Sequence, residues 1–507
     1  MTESPGHTPS TLLDLFQSIP GDRTAVIAPE QNIRVTYSAL RHQVEAAAEA
    51  LAAAGVKRND RVGIAVPNSL STIVSFLAAS VAGTAAPLNP AYKEEEFRFY
   101  LDDTAARVLV LPREGLEEAR RAAGDKVKIL TVEMDSAGTV RLAANGGGAS
   151  VSAPSVDDVA LILHTSGSTG RPKRVPLTHA NLSISARNVA RTYSLTPDDV
   201  SLCVMPLFHV HGLVASTLAT LATGGTVVVP GKFNPLSFWR VVRDHRATWY
   251  SAVPTLHQLL LARAERGSAR PAGAEQLRFI RSCSASLAPQ LMHDLETAFG
   301  APVLEAYGMT EAAHQMASNP LPPAARKAGS VGPGTGVGIS IMDGEGRHLG
   351  AGERGEVVIK GNNVIRGYEN NPEANATSFS GGWFRTGDQG FLDADGYLTL
   401  VGRIKELINR GGEKVSPREI DEVLLAHPAV AEAVAFGVPH PTWGEEVAAA
   451  VVLSEPVSES DLLAYCRDRL ADYKRPKQIH ITETIPRTAT GKIQRRLVAQ
   501  AFSRAAS

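Results

Sequence analysis

The chain has 507 residues, more than one ordinary hydrophobic core can hold, so the sequence predicts two or more domains. Hydrophobic residues make up 44% and charged residues 20% of the chain, which is the balance of a soluble globular protein. A formal net charge of -1 gives no electrostatic reason to bind nucleic acid or an anionic membrane, so any anion site must be local.

Cysteine usage and the apolar segments indicate the compartment. Cys203, Cys283 and Cys466 are widely spaced, match no metal-binding pattern and cannot form a disulfide framework. The N-terminus has no basic region followed by an apolar core, so no secretory signal is expected. The apolar window 70–88 is interrupted by small polar residues, which favours a buried helix and strand over a membrane span. We expect a cytoplasmic protein.

Helical and strand-like stretches alternate through the first 400 residues. The predicted helices are 37–55, 70–82, 212–223, 238–245 and 289–299. The predicted strands are 61–67, 85–88, 107–111, 128–132, 159–163, 175–177, 201–206, 226–229, one ending at 253, 279–283 and 303–306. This alternation predicts α/β architecture, with parallel sheets covered by helices.

The pattern of apolar runs and glycines changes after residue 329. Short runs and many glycines between 329 and 402 favour a small, mostly antiparallel β-rich subdomain. Charge and paired glycines at 402–414 then replace core residues, and about a hundred residues follow with helical and strand-like spacing. We therefore predict a large domain over 1–402 and a small mobile α+β domain over 403–507.

A glycine-rich loop between two apolar runs is the strongest local signal. It contains small hydroxylated residues, glycines and cations that suit phosphate binding: Thr165, Ser166, Gly167, Ser168, Thr169, Gly170, Arg171 and Lys173. Its glycine spacing differs from that of the familiar phosphate-binding loop, and Pro172 blocks an immediate helix. The composition alone also fits a flexible surface loop.

Five motifs in order resemble the acyl-adenylate-forming superfamily, which comprises acyl-CoA synthetases, peptide-synthetase adenylation domains and luciferases. They are the loop itself, EAYGMTE at 305–311, WFRTGD at 383–388, YLTLVGR at 397–403 and PRTATGK at 486–492. The resemblance spans nearly the whole chain. It implies that a carboxylate attacks the α-phosphate of ATP and that a thiol then displaces AMP, with positioning and charge stabilisation as the main catalytic effects.

The resemblance also implies a nucleotide site. Thr165 to Lys173 would hold the β- and γ-phosphates, Thr310 would contact the α-phosphate and Glu311 would bind magnesium. The adenine side would be formed by Ser284 and Ala285 and by Glu305, Ala306, Tyr307, Gly308 and Met309, and the ribose would be held by Asp388 and Arg403. Arg174 departs from the family, where many relatives have glycine.

The small domain carries its own implied roles. Lys492 resembles the adenylation lysine, which bridges the acid and the α-phosphate. Lys405 matches the hinge about which the domain rotates between the half-reactions, and Gly411 and Gly412 would open a channel for the pantetheine arm of CoA.

Polar residues at the implied acyl pocket indicate a small diacid. His209, Ser284 and His314 offer hydroxyl and imidazole donors to a second carboxylate, and His211 could face the pocket instead of His209. His314 could also cap a helix or join a surface network. The sequence around these residues is most similar to that of the oxalate-CoA ligase branch of the family, so we expect ATP, Mg²⁺ and CoA to be used with oxalate.

Other functions stay open at this point. The acid could be a fatty, aromatic or other short acid, and the acyl group could pass to a carrier protein instead of CoA. A luciferase-type monooxygenase is a third class, and a nucleotide-binding relative without catalysis a fourth. No membrane, nucleic-acid or obligate protein partner is expected.

Overall fold

The computed structural model describes residues 10–143, 149–165, 172–264, 270–487 and 493–503. Ser166, Gly167, Ser168, Thr169, Gly170 and Lys492, all predicted site residues, lie outside the described residues. Across the described ranges, no helix is both long enough and apolar enough to cross a bilayer.

The strands follow the predicted rhythm through most of the chain. They are β1 Thr24–Ala28, β2 Ile33–Thr36, β3 Arg61–Ile64, β4 Thr84–Pro87, β5 Ala106–Pro112, β6 Lys128–Met134, β7 Val140–Ala143, β8 Val159–Thr165, β9 Lys173–Thr178, β10 Val200–Leu202, β11 Thr226–Val228, β12 Trp249–Ala252, β13 Phe279–Ser282, β14 Val303–Met309, β15 His314–Ser318, β16 Gly338–Met342, β17 Gly355–Lys360, β18 Phe379–Ser380, β19 Trp383–Leu392, β20 Leu398–Arg403, β21 Ile408–Arg410, β22 Glu413–Val415, β23 Val430–His440, β24 Gly444–Leu453 and β25 Gln478–Ile481.

The helices lie between these strands. They are α1 Tyr37–Ala53, α2 Leu70–Ala82, α3 Glu94–Thr104, α4 Glu117–Ala123, α5 His179–Thr192, α6 Ala219–Leu221, α7 Phe238–His245, α8 Pro254–Leu261, α9 Pro289–Phe299, α10 Pro372–Ser378, α11 Pro417–Leu425, α12 Glu459–Arg467 and α13 Arg495–Ser503. Short 3₁₀ segments cover Asp14–Phe16, Ala274–Gln276, Thr310–Ala312, Ile404–Glu406 and Asp472–Lys474, and a π-helix covers His211–Leu218.

Two large sheets confirm the predicted α/β class. The first has the order β15-β14-β13-β12-β10-β11-β1-β2 and the second the order β7-β6-β5-β3-β4-β8-β9. In each sheet the inner strands pair in parallel and the two edge strands are antiparallel. Parallel pairing aligns the carboxyl ends of β12, β13 and β14, so residues at those ends meet at one edge of the sheet.

Helix α2 lies between the two large sheets and forms the centre of the main core. All of its residues are buried, and it contacts β1 of one sheet and β3, β4 and β8 of the other. The hydroxyl of Ser69 accepts a hydrogen bond from the amide of Thr72 and caps its N-terminus. Each large apolar side chain buried there contributes about 1.5–3 kcal/mol. The apolar window 70–88 is therefore a buried helix and strand, as predicted.

Two smaller sheets follow. Strands β16 to β20 form an antiparallel sheet whose buried face joins the main core, which confirms the predicted β-rich region. Strands β21 to β25 form a second sheet that buries its own core with α11 and α12. The domain division at 402/403 falls before the last residue of β20, and the hinge at Lys405 falls between β20 and β21. Both stay predictions.

The predicted strand 201–206 and helix 212–223 differ from the structure. Strand β10 ends at Leu202, because the side chain of Asn68 binds the carbonyl of Met205 and the amide of Leu207 and turns the chain there. The helix begins as the π-helix His211–Leu218, in which the amide of Ala219 bonds the carbonyl five residues earlier, and only α6 is α-helical. Single π turns are often found at functional sites.

Candidate active site

The strands that flank the predicted phosphate loop form a hairpin, in which Thr165 of β8 pairs with Lys173 of β9. The Lys173 ammonium lies 4.4 Å from the centroid of the Tyr368 ring, and the Tyr368 hydroxyl donates to Oε1 of Glu311 at 2.8 Å. Burial lowers the pKa of Lys173, with the Glu311 carboxylate raising it and the Lys405 ammonium lowering it. Lys173 and Glu311, predicted from separate motifs, thus lie in one cluster.

A second cluster is centred on the buried carboxylate of Asp388. The register of β19 and β20 places Asp388 opposite Arg403, whose Nε lies 2.7 Å from Oδ1. The hydroxyl of Tyr307 donates to Oδ2. Burial and the Asp388 charge raise the pKa of Tyr307, so its hydroxyl remains a donor. The structure therefore brings together three residues that the sequence assigned to adenine and ribose.

The segment from β14 into the following 3₁₀ turn carries the remaining predicted adenine and phosphate residues, namely Glu305, Ala306, Gly308, Met309 and Thr310. Glu305 is buried, and its Oε1 accepts the amide of Leu287 at 3.0 Å while Oε2 has no partner. Burial raises the pKa of this carboxyl to about 7, and Arg418 of α11 acts in the opposite direction. At Gly308, a Cβ would lie 2.1 Å from the carbonyl oxygen of His314, so only glycine fits.

Two of the predicted acid-binding residues, Ser284 and His314, each contact His211 near the end of β13. The Oγ of Ser284 lies 3.1 Å from Nδ1 of His211, and Nε2 of the same ring lies 2.6 Å from Oγ of Ser251. The rings of His211 and His314 are 5.1 Å apart between centroids. Ser284 and His314 have φ angles of 73° and 119°, a left-handed conformation that non-glycine residues adopt only where the surroundings hold them there.

Beneath this cluster lies Arg281, the third residue of β13, with no exposed surface. Its Nε donates to the hydroxyl of Tyr193 at 2.8 Å, its Nη1 to Ser251 at 2.9 Å and its Nη2 to Oε1 of Gln315 at 3.0 Å. Longer contacts of 3.4 and 3.5 Å join Nη1 to Nε2 of His211 and Nη2 to Nδ1 of His314. A guanidinium therefore bridges both imidazoles.

Burial, and then the Arg281 charge, lowers the pKa of His211 and of His314 well below the usual value for histidine. His209 lies close enough to lower both values further. Both rings are therefore neutral at physiological pH. His314 belongs to strand β15, so it caps no helix, and it is buried, so it belongs to no surface network.

The structure places His211, the alternative to His209, in direct contact with Ser284. His209 is half-buried, and its Nδ1 accepts the amide of His211 at 3.2 Å. Ala285 follows Ser284 and is exposed. The role of each of these residues in binding stays a prediction.

Arg174 is held by an ion network at the base of the phosphate hairpin. Its guanidinium bonds the Asp103 carbonyl and pairs with Glu369 at 3.2 Å. Asp103 in turn lies 2.9 Å from Nε2 of His164, which pairs with Arg174 across β8 and β9. Arg174, which stands where many relatives have glycine, thus has defined ionic and hydrogen-bonding partners. Together with His164, it ties both strands of the hairpin to the end of α3.

The residues predicted for the hinge and the CoA side lie in the C-terminal region. Lys405 is exposed, in the 3₁₀ segment after β20. Gly411 and Gly412 form the turn between β21 and β22 with φ of 62° and 96°, and the Gly411 amide donates to the carbonyl of Trp443 at 2.8 Å. The channel role of this turn stays a prediction.

Comparison with known proteins identifies the chain. The AMP-binding enzyme model matches residues 16–369, and the AMP-binding enzyme C-terminal domain model matches residues 419–492. The chain belongs to the AMP-binding enzyme family. It is an enzyme of the AMP-forming acyl-CoA synthetase class, because its curated relatives over nearly the full length are CoA ligases.

Two curated relatives of this AMP-binding enzyme are oxalate–CoA ligases. The protein from Arabidopsis thaliana is 48% identical over 506 residues, covering 97% of this chain and 98% of the relative. The protein from Saccharomyces cerevisiae is 43% identical over 522 residues, covering 95% of each. The ATP-bound crystal structure of MatB from Rhodopseudomonas palustris is similar with a TM-score of 0.90 at 30% identity, covering 99% of this chain and 100% of that one.

The sequence of this AMP-binding enzyme gave no prediction for four residues around Ser284, His211 and His314, which we call the acid cluster. It also gave none for one residue beside Lys173 and Glu311, which we call the phosphate cluster. They are Arg281, Ser251, Tyr193, Gln315 and Tyr368. The sequence does contain a signal for Arg281, because a charged residue is rarely buried in a strand such as Phe279–Ser282 without a partner or a function. The others come from distant parts of the chain and carry no local pattern.

Proposed function

We propose that this AMP-binding enzyme joins oxalate to CoA, consuming ATP and releasing AMP and pyrophosphate. In the first step a carboxylate oxygen bonds to the α-phosphorus while the bond to pyrophosphate breaks. In the second step the CoA sulfur bonds to the acyl carbon, the bond to AMP breaks and the thiol proton is lost. We place the reaction in the cytoplasm, because the three cysteines are free and buried.

One observation carries the choice of acid: the half-buried Ser284 lies with the buried His211 and His314 around the buried Arg281. Hydroxyl and imidazole donors suit an anionic group and would leave a hydrocarbon chain in a polar environment. A diacid of minimal length fits such a cluster, because its second carboxylate follows the reacting carboxylate directly. The similarity to two oxalate–CoA ligases supports the same acid.

For ATP we propose the roles that the family pattern implies. Lys173 and the loop from Thr165 hold the β- and γ-phosphates, and Thr310 contacts the α-phosphate. Asp388 accepts from the ribose hydroxyls and is oriented by Arg403 at 2.7 Å. Tyr307 flanks adenine with the neighbouring backbone of β14 and of the Ser284 turn. The MatB structure, which is bound to ATP, supports this nucleotide site.

Glu311 fits a magnesium ion bound largely through substrate. Among the described residues, Tyr368 donates to Oε1 of Glu311 and nothing donates to Oε2. No group of three or more acidic, histidine or cysteine side chains that could hold a metal is present in the described ranges. Mg²⁺ commonly uses one or two carboxylates together with substrate phosphates and water. When bound, it would offset phosphate charge.

We further propose that Lys492 bridges oxalate and the α-phosphate in the first step. Rotation of the region after Lys405 would then withdraw Lys492 and present the Gly411–Gly412 turn to the site for CoA. This division lets one pocket serve two reactions in sequence.

An acid panel tests the proposed function. Purified enzyme is given ATP, Mg²⁺ and CoA with oxalate, malonate, acetate, benzoate or octanoate, and both pyrophosphate and CoA thioester are measured. Oxalate should give the highest kcat/KM, with one thioester formed per pyrophosphate. Faster use of octanoate or benzoate would refute the assignment. Pyrophosphate release without a CoA thioester would indicate a carrier protein as acceptor, and oxygen uptake a monooxygenase.

A further inference from the structure

Arg281 is a buried cation whose partners are all neutral. Its hydrogen bonds reach Tyr193, Ser251 and Gln315, and its longer contacts reach His211 and His314. In the part of the chain that the structure describes, no carboxylate pairs with it. A buried charge without a counter-charge is strongly disfavoured, and proteins retain such groups where function needs them.

The contacts of Arg281 fix the protonation of both imidazoles. A guanidinium can only donate hydrogen bonds, so the nitrogens that face it, Nε2 of His211 and Nδ1 of His314, are acceptors. We therefore assign the ring protons to Nδ1 of His211 and Nε2 of His314. Each neutral ring then has its N–H on the side away from the guanidinium.

These tautomers determine what the cluster offers to a ligand. Nδ1–H of His211 donates to Oγ of Ser284 at 3.1 Å, so the hydroxyl hydrogen of Ser284 is left to donate elsewhere. Nε2–H of His314 has no partner among the described residues. Two donors, each linked through an imidazole to one buried cation, are thus available to a bound anion.

We propose that Arg281 is a positioning residue for acid choice: it fixes the tautomers of His211 and His314 and supplies the counter-charge for the second carboxylate of the acid. It acts through Ser284 and His314 and need not contact the acid. The proposal rests on the proposed function for the identity of that acid. The inference extends the proposed function, because it assigns the selection for an acid with a charged second end to Arg281, which lies beneath the pocket.

The test compares oxalate with oxamate, its half-amide, which has the same shape and a neutral end. The wild type should favour oxalate, and Arg281→Met should lower the oxalate-to-oxamate ratio of kcat/KM by roughly 100-fold, the size expected for losing a charge-assisted interaction in a buried site. The loss should be mainly in KM for oxalate, with kcat for oxamate little changed. An unchanged ratio would overturn the proposal.

A matched control is Arg278→Met, three residues earlier. Arg278 pairs at 2.5 Å with the buried carboxylate of Asp199. Its loss leaves a buried anion unpaired, so it should lower stability and leave the acid ratio unchanged. Arg281→Met removes a buried cation together with three hydrogen bonds, and the ratio should fall whether or not stability changes. Destabilisation by Arg281→Met with an unchanged ratio would show a merely structural role.

Two further comparisons keep the test decisive. Arg281→Lys retains the charge but cannot reach both imidazoles, so its oxalate-to-oxamate ratio of kcat/KM should fall by less than that of Arg281→Met. An unchanged ratio in a folded Arg281→Lys variant would overturn the role of the guanidinium as a bridge between the two imidazoles. If the wild type prefers malonate to oxalate, the proposed function fails. Malonate and its half-amide then provide the same charge comparison for Arg281.

Discussion

Replacing Glu305 by glutamine should make the stability of the chain less dependent on pH. Burial raises the pKa of this carboxyl from 4.5 to about 7, so the folded state binds the proton more tightly than the unfolded state. The stability due to this proton is complete below pH 4.5 and is lost as the pH rises through about 7. The shift corresponds to about 3 kcal/mol, of which about 2.5 kcal/mol is lost between pH 5 and pH 8.

Glutamine does not titrate and keeps the oxygen that accepts the Leu287 amide. The free energy of unfolding of Glu305→Gln, minus that of the wild type, should therefore increase by about 2.5 kcal/mol from pH 5 to pH 8. Any packing cost that does not depend on pH cancels in this comparison.

Urea unfolding at pH 5, 6, 7 and 8 measures the effect, with the buried Trp249 in the same sheet as a fluorescence reporter. The matched control is Glu345→Gln, because the Glu345 side chain is 73% exposed and its replacement should give no such increase. A difference between Glu305→Gln and wild type that stays constant across the series would refute the reasoning.

Three further predictions concern the nucleotide site. Asp388→Asn should raise KM for ATP at least about tenfold with a smaller effect on KM for oxalate, because it removes the acceptor that Arg403 orients. Steady-state kinetics would check this, and equal effects on both KM values would contradict it. Gly308→Ala should destabilise the chain by about 2 kcal/mol or more, since its Cβ would lie 2.1 Å from the His314 carbonyl oxygen; thermal unfolding measures this, and an unchanged midpoint would count against the backbone geometry. Lys492→Ala should lose at least about 100-fold in ATP–pyrophosphate exchange while still converting supplied oxalyl-adenylate and CoA to thioester; equal losses in both half-reactions would argue against a role confined to the first.

Local signals explain which features were predictable from the sequence. Helix α2 has the predicted bounds because Ser69 caps its start and the few polar residues between its apolar ones are small and buried with them. Asp388 and Arg403 were assigned to one site by the family resemblance, and the structure explains their proximity, because the short connection between β19 and β20 makes a hairpin that pairs them across two adjacent strands. In such cases a few neighbouring residues determine the geometry.

The acid cluster could be predicted only in part. Ser284 and His314 were found because they adjoin recognisable motifs, whereas Arg281 and Ser251 meet because β12 and β13 are neighbours in a sheet whose strand order the sequence does not state. The choice between His209 and His211 depended on the π-helix, whose wholly buried residues show no polar face from which its phase could be read.

With the role proposed for His211, that π-helix makes acid choice depend on chain length as well as on side-chain identity. An α-helix turns by about 100° per residue, so deleting one residue between Gly212 and Leu218 would let the segment return to α-helical bonding and rotate its first residue by about that angle. His211 would then leave both Ser284 and Ser251 without any change to the pocket residues themselves. A single insertion or deletion in this segment is therefore a route by which an enzyme with the proposed function could gain or lose a preference for a charged acid.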